Sequence, residues 1–423
     1  MYKATETILI ISSELDVGHT VKNIMASYPD TNRKYIYLLE DLKDQAGDEL
    51  RFEGVFIIRN FAVHSEVEAV FRQIAATYSV TRVLTDDEFS VCIAAWANDF
   101  WQLPGLSFDM ATRFRDKKRM KHIARQAGIN TAREIAAEEI RRGEVSFPVI
   151  LKPRSLAGSV GVKIISDASQ LNDIDIAEEA EYCDMDETQY FIESYNPQPI
   201  YQLDAVLLQG RLAYLFAGEY IGKPIDYLEE CALGYLSVTE SDLRDVWWPF
   251  AEKVLSAFDG PDGVYHIEAF GDAGEGVELL EIAYRPGGGV TVEMIQFACG
   301  LDLRFTHLVA QLGVEVDRNA GPEGKAWGYM MFPKKHLAKE PLYVSQVSLP
   351  FAGSLSTLKM QILPNTGDIA SGGFFCHKDG LGSFVFCGSR DSVARDLKCI
   401  VADYRVSLSP QQKTLQMSGL QAM

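Results

Sequence analysis

Two segments constrain this chain more than any other part of it. VYHIEAF holds Glu268 and VELLEIAYRPGGG holds Glu281, each glutamate set inside a run dense with apolar residues. The runs read as two strands, Val264 to Phe270 and Val277 to Ala283, joined through the glycine-rich link GDAGEG. A carboxylate in such a setting is seldom buried without a charge partner. Two of them on neighbouring strands repel unless a cation lies between them. Mg2+ takes one or two carboxylates plus substrate phosphate oxygens, which suits such a pair. Arg285 follows four residues after Glu281 and falls on the same face of the pleat. Pro286 then ends the strand, and Gly287, Gly288 and Gly289 let the backbone approach a ligand. The competing reading is two edge-strand glutamates facing water beside an arginine salt bridge.

Upstream, short apolar runs alternate with helical patterns. Thr7 to Ile11, Tyr35 to Leu39, Val55 to Ile58 and Val80 to Leu84 read as strands, and Val63 to Tyr78 as a helix. This alternation predicts a parallel sheet covered by helices. The turn after the first strand is SSELDVGH, so the dinucleotide-binding glycine pattern is missing. Asp109 to Gly128 reads as one amphipathic helix ending at its glycine. Further helices are expected over Trp247 to Phe258, from Thr291, and over Ser392 to Tyr404, with a strand pair around Gln209-Gly210.

FPVILKPRSLAGSVGVKII reads as a hairpin. Lys152 closes its first strand, and Ser155, Ala157, Gly158, Ser159 and Gly161 are small enough for consecutive N–H groups to fold over an anion. A plain turn with a surface lysine explains the same residues equally well. DKKRMK, with Lys117, reads either as a solvated basic face or as one lysine aimed at phosphates. FIESY could present strand-end backbone to an adenine edge, as any strand end could. His266, two residues before Glu268, reads as a packed core histidine or a substrate contact.

The 423 residues are 47% hydrophobic, enough for two to four domain cores, and the net charge of −19 argues against nucleic acid. The seven cysteines form no CxxC pair and no zinc pattern, which suggests reduced thiols. MYKATETILIISS is too short and weakly apolar for a signal peptide, and no apolar run approaches the ~20 residues of a membrane span. The expected location is the cytoplasm, with no membrane partner.

The order of these pieces resembles the ATP-grasp superfamily: helix lysine, strand lysine with small-residue loop, hinge glutamate, two strand carboxylates, then Arg-Pro-Gly-Gly. The similarity covers about residues 110–300. Within the superfamily, GLGSFVFCGSRDSVARDLK is similar to the C-terminal part of the dipeptide-forming L-amino-acid ligases. The resemblance implies α/β and α+β architecture: an ATP-grasp fold with an N-terminal Rossmann-like parallel α/β domain (1–112), a small lid subdomain (113–190), a large subdomain with the metal and substrate site (191–327), a small C-terminal α+β subdomain (328–405) and a polar tail (406–423). It implies that Lys117 and Lys152 hold phosphates, and that Ser155, Ala157, Gly158 and Ser159 lie in the phosphate lid. Glu193, Ser194 and Tyr195 would take adenine and Asp204 would lie near the ribose. Glu268 and Glu281 would bind Mg2+ (or Mn2+). Arg285 would contact the transferred phosphoryl group, and Gly287 and Gly288 would offer N–H groups to an oxyanion. The sequence departs from the family at Ala283, where many members carry a metal-binding asparagine.

The implied activity is ATP-dependent carboxylate–amine ligation through an acyl phosphate. Its partners would be small-molecule carboxylates and amines, amino acids among them; dimerisation is a family expectation. The alternatives are loading of an amino acid onto a carrier-protein thiol, bicarbonate-dependent carboxylation, and ATP binding without turnover. Residues 218–240, with Tyr227, Glu229 and Glu230, are the expected specificity loop.

Overall fold

The computed structural model describes residues 6–13, 17–40, 54–171, 182–186, 188–272, 276–314, 324–351, 353–372 and 380–410. Part of the expected GDAGEG link, residues 273–275, lies outside them, as do Cys376 and the chain beyond 410. The other six cysteines are free thiols.

Strands β1 (Glu6–Ser12), β2 (Arg33–Glu40), β3 (Val55–Ile58) and β4 (Arg82–Thr85) form a parallel sheet in the order β3-β2-β1-β4. Successive side chains leave a strand on opposite faces, so this sheet has two cores. Leu9, Ile11, Ile36 and Leu38 meet the helices His64–Thr77 and Val91–Trp101. Ile8, Ile10, Tyr35 and Tyr37 meet Val17–Ser27 and, from far along the chain, Leu308 and Val309 of the helix Leu303–Gln311. Gln311 seals that junction by bonding both the N–H and the carbonyl of Thr85. The strand order reverses between β1 and β4. Ligands of open α/β sheets gather at the carboxyl ends of strands at such a switch point, and the residues there are Asp86, Asp87 and Glu88.

A small antiparallel sheet, order β6-β9-β7-β8, contains β6 (Glu134–Ile135), β7 (Val149–Pro153), β8 (Lys163–Ile165) and β9 (Tyr190–Ser194). The hairpin expected at the glycine-rich turn is β7–β8, with Leu151 opposite Lys163.

The largest sheet has the order β17-β18-β15-β12-β11-β10-β13-β14-β5. Its strands are β5 (Asn130–Thr131), β10 (Ile200–Leu208), β11 (Arg211–Ile221), β12 (Leu233–Ser237), β13 (Gly263–Asp272), β14 (Gly276–Ala283), β15 (Ala326–Pro333), β17 (Leu358–Ile362) and β18 (Gly380–Gly388). One face packs on the helices Lys117–Gln126 and Trp248–Phe258 through Met120, Ala124, Val254, Phe258 and Ile267. The other packs on Thr291–Cys299 and Leu303–Gln311 through Val206, Val264, Ile295 and Leu303. Strands β16 (Tyr343–Ser348) and β19 (Arg405–Ser409) pair antiparallel.

Two expectations need correction. The helix expected over Asp109 to Gly128 is two helices, Phe108–Arg113 and Lys117–Gln126. Asp116 breaks it: its carboxylate accepts from the Lys118 N–H as an N-cap and is held by Arg154 at 2.5 Å. The expected polar tail begins with a strand, since Arg405–Ser409 finds the open edge of Tyr343–Ser348. Among the described residues no helix is long and apolar enough to cross a membrane.

Candidate active site

A cavity of about 320 Å3 lies between the small sheet and the largest one, closed at one end by the acidic loop after β4. It is lined by Lys117, Lys152, Ser155, Ala157, Gly158, Ser159, Glu193, Ser194, Tyr195, His266, Glu268, Glu281, Arg285, Gly287 and Gly288. Of the residues expected to hold nucleotide, metal or the reacting groups, only Asp204 is missing from the lining.

Glu268 and Glu281 are direct cross-strand partners in the antiparallel pair β13–β14. Opposite residues share a face, so both carboxylates point to the cavity. A bulge follows at once, Ala269 pairing with Leu279, and skips Leu280. Glu268 accepts a bond from the Tyr220 hydroxyl at 2.8 Å, and Glu281 lies 3.5 Å from Lys117 Nζ. Burial raises the Glu281 pKa, but Lys117 leads the charges that bring it below the usual range, with Glu88 opposing. Ala283 pairs with His266 and stays out of the lining, so the position of the family's asparagine offers no ligand atom. No cluster of three or more His, Cys, Asp or Glu residues suited to a metal occurs among the described residues. A two-carboxylate site that draws its other oxygens from substrate and water is the kind Mg2+ accepts.

The lysines converge from two directions. Asp116 ends one helix and starts the next, which makes Lys117 the first residue of that helix. Its ammonium reaches the Leu156 carbonyl at 2.8 Å, across the loop that follows β7. That loop turns left-handed at Leu156, Gly158, Ser159 and Gly161. A Cβ at Gly161 would sit 2.8 Å from the Tyr190 hydroxyl, so only glycine fits there. The Ser155 Oγ is buried and has no hydrogen-bond partner, an orphan polar atom at the cavity wall. Lys152 pairs with Glu193 at 2.5 Å, and Lys121 approaches the other Glu193 oxygen at 3.5 Å.

Two residues have partners that the sequence did not show. Glu193 was expected to face adenine, but its carboxylate is clamped between two buried ammonium groups. Glu193 still lines the cavity, as do Ser194 to Asn196 beyond it, with Tyr195 held by Lys223 at 2.9 Å. Asp204 was expected near the ribose. It lies beneath the floor, accepting from Gln202 at 2.7 Å and facing His266 at 3.4 Å. A Cβ on Gly287 would come within 2.5 Å of Asp204 Oδ1, so that glycine is required by the buried network as well as by any ligand. His266 sits between Asp204 and Glu268; burial lowers its pKa, but its bonds to those two acids lift it to about 9. The expected specificity residues also miss: Tyr227 is buried in the core, Glu230 pairs with Lys335, and the cavity meets Tyr220, Lys223 and Ile225 instead.

Sequence reading missed Glu88, Lys121, Gln202, Tyr329 and Arg304. Lys121 stood one helical turn after Lys117, the spacing that puts two side chains on one face. Glu88 stood just past the end of β4, where a parallel sheet presents its site. Gln202 and Tyr329, bonded to each other at 2.7 Å, carried no signal.

Burial pushes the Lys121 pKa down to about 8, against the pull of Glu193. A lysine depressed on folding binds fewer protons folded than unfolded between pH 8 and 10.5. Stability therefore rises with pH across that window, by on the order of 3 kcal/mol for a shift of this size. Urea unfolding from pH 7.5 to 10 should show that rise, and Lys121→Met should flatten it. A rise of equal size in the variant would assign it elsewhere.

Solved structures share this whole architecture. The L-amino acid ligase from Bacillus licheniformis superposes with a TM-score of 0.69 over 96% of this chain and 99% of its own, at 16% identity. The chain has the ATP-grasp fold. The N5-carboxyaminoimidazole ribonucleotide synthetase from Thermotoga maritima matches at 0.62 with 15% identity, over 95% of this chain and 99% of that one. In sequence, alanine–anticapsin ligase from Bacillus subtilis (strain 168) is 29% identical over 113 residues, 26% of this chain. That match spans 24% of the relative's length. No family model matches the chain.

Proposed function

We propose that this chain is an ATP-dependent carboxylate–amine ligase that joins amino acids, or an amino acid and a small amine. The observation that carries the reading is the cross-strand pair Glu268–Glu281, facing Lys117, Lys152 and Arg285 in one cavity. The 113-residue likeness to an alanine–anticapsin ligase favours a free amine over a carrier thiol or bicarbonate.

Glu268 and Glu281 would hold Mg2+, which when bound neutralises charge on the phosphate oxygens. Lys117 and Lys152 bind the triphosphate, and the loop around Gly158 covers it. A substrate carboxylate oxygen attacks the γ-phosphorus, the bond to the β-phosphate oxygen breaks, and ADP leaves. The enzyme's share of this step is positioning and charge neutralisation. The acyl phosphate is prone to hydrolysis, so the covering loop excludes water. A neutral amine then attacks the acyl carbon, phosphate departs, and Arg285 with the N–H groups of Gly287 and Gly288 faces the developing oxyanion.

The test is an ADP-release screen over pairs of amino acids and small amines with mass detection. Release that needs both partners and yields a condensed product supports ligation; release driven by a carrier protein or bicarbonate refutes it. MgATP should also raise the melting temperature. At about a hundredfold excess over its Kd the gain is about 2.7 kcal/mol, and a melting curve indifferent to MgATP would refute nucleotide binding.

A further inference from the structure

We propose that Glu88 is the positioning residue for Arg285, the inner link of a buried chain of alternating charge that runs from the cavity to the segment before β9. The proposal deepens the ligase reading and rests on it.

The chain can be followed atom by atom. Glu88 Oε2 accepts from Arg285 Nε at 2.5 Å, and its Oε1 accepts from Arg115 Nη1. Arg115 is 1% exposed and turns its other edge to Asp184, 3.0 Å away. Asp184 also accepts from the Tyr182 hydroxyl at 2.8 Å. Of the four charged groups, Glu88 and Arg285 line the cavity, while Arg115 and Asp184 stand behind them.

Two consequences follow from the geometry. Arg285 Nη1 also donates to the Pro286 carbonyl at 2.7 Å, so Glu88 and Pro286 together fix the plane of the guanidinium at the strand end. In addition, Arg115 draws on the same carboxylate. Glu88 thus orients Arg285 without taking its whole charge, and Arg285 keeps attraction for an oxyanion. An isolated acid at that point would hold the guanidinium more tightly and compete with the ligand. Asp184 balances Arg115, so the arrangement carries no net charge that the cavity must answer. Arg285, with Arg115 and Lys117, also holds Glu88 at a pKa of about 2 against its burial, so the carboxylate stays charged wherever an enzyme of this kind would work.

The four groups come from four places: the loop after β4, the junction between the helices Phe108–Arg113 and Lys117–Gln126, the segment before β9, and the end of β14. Glu88 is where they meet, so the orientation of Arg285 depends on all of them being docked.

Glu88→Gln tests this, with Glu88→Asp as the conservative variant and melting curves to verify folding. Calorimetry with MgADP alone, and with MgADP plus aluminium fluoride as a mimic of the phosphoryl group in flight, supplies a readout independent of turnover. The expected result for Glu88→Gln is unchanged MgADP affinity and about tenfold weaker binding of the aluminium fluoride complex. With that goes a kcat lower by roughly ten- to a hundredfold at an ATP KM within about threefold of wild type. Glu88→Asp should recover part of both losses. Wild-type kcat and fluoride-complex affinity in Glu88→Gln would overturn the proposal. So would a parallel loss of MgADP affinity, because a merely structural residue would lower both. If the wild-type protein releases no ADP with any carboxylate and amine, the ligase reading fails, while the aluminium fluoride arm still decides the role of Glu88.

Discussion

Glu281→Gln is expected to lower kcat by about a thousandfold or more, equivalent to about 4 kcal/mol in the barrier, while the chain stays folded. The side chain keeps its size and loses only its charge. What disappears is half of a carboxylate pair that no third His, Cys, Asp or Glu supports among the described residues. With one acid left, the site would hold Mg2+ more weakly, and less of the charge on the phosphoryl oxygens would be neutralised. The structural loss is small because Lys117 keeps its bond to the Leu156 carbonyl. Glu88 is also relieved of a neighbour of like charge. The net environment still favours the ionised acid, so a cost of about 1 kcal/mol is expected rather than a gain. Steady-state ADP release and melting curves with and without MgATP check both halves. Full activity in Glu281→Gln would refute the metal assignment outright, and an unfolded variant would refute the claim that this carboxylate acts on chemistry more than on stability.

What the sequence revealed about the site depended on contrast. Glu268 and Glu281 stood out because they interrupt apolar strands, and Arg285 because a Pro-Gly-Gly stretch follows it. Lys152 ended a run otherwise apolar. Each is a polar residue where the surroundings ask for none, and the fold brings all of them to one cavity. Residues without contrast stayed hidden. Glu88 belongs to TDDEFS, an acidic cluster that reads as a solvated turn. Only the reversal of strand order between β1 and β4 makes it part of the cavity wall. Lys121 was lost among four basic neighbours, although it is 1% exposed. The ion-pair and hydrogen-bond partners of Glu193 and Asp204 were hidden for another reason. A motif gives the order of residues along the chain, whereas distant partners, Lys121 at one and His266 at the other, are chosen by packing between elements far apart in sequence. The helix break at Asp116 was hidden likewise, since the arginine that fixes this cap, Arg154, comes 38 residues later.

Glu193→Leu is expected to cost about 3–5 kcal/mol of stability at neutral pH, the range found when one partner of a buried ion pair is removed. Glu193 lies between Lys152 at 2.5 Å and Lys121 at 3.5 Å, and none of the three side chains is more than 4% exposed. A leucine fills the space but leaves two buried ammonium groups of like charge without the carboxylate between them. Lys121 already sits at about 8 despite the carboxylate; without it, Lys121 should fall further. The folded variant then binds fewer protons than the unfolded chain from neutral pH up to about 10.4, the ordinary lysine value, and its stability must climb with pH through that whole window. Urea unfolding at pH 7 and pH 9.5 should therefore show the gap to wild type narrowing at the higher pH. An apolar replacement tolerated at under about 1 kcal/mol at both pH values would mean that the lysines find water or other partners there. Lys152 would then stand in the cavity without the counter-charge assigned to it, and would bind a phosphate by its own hydration and reach alone.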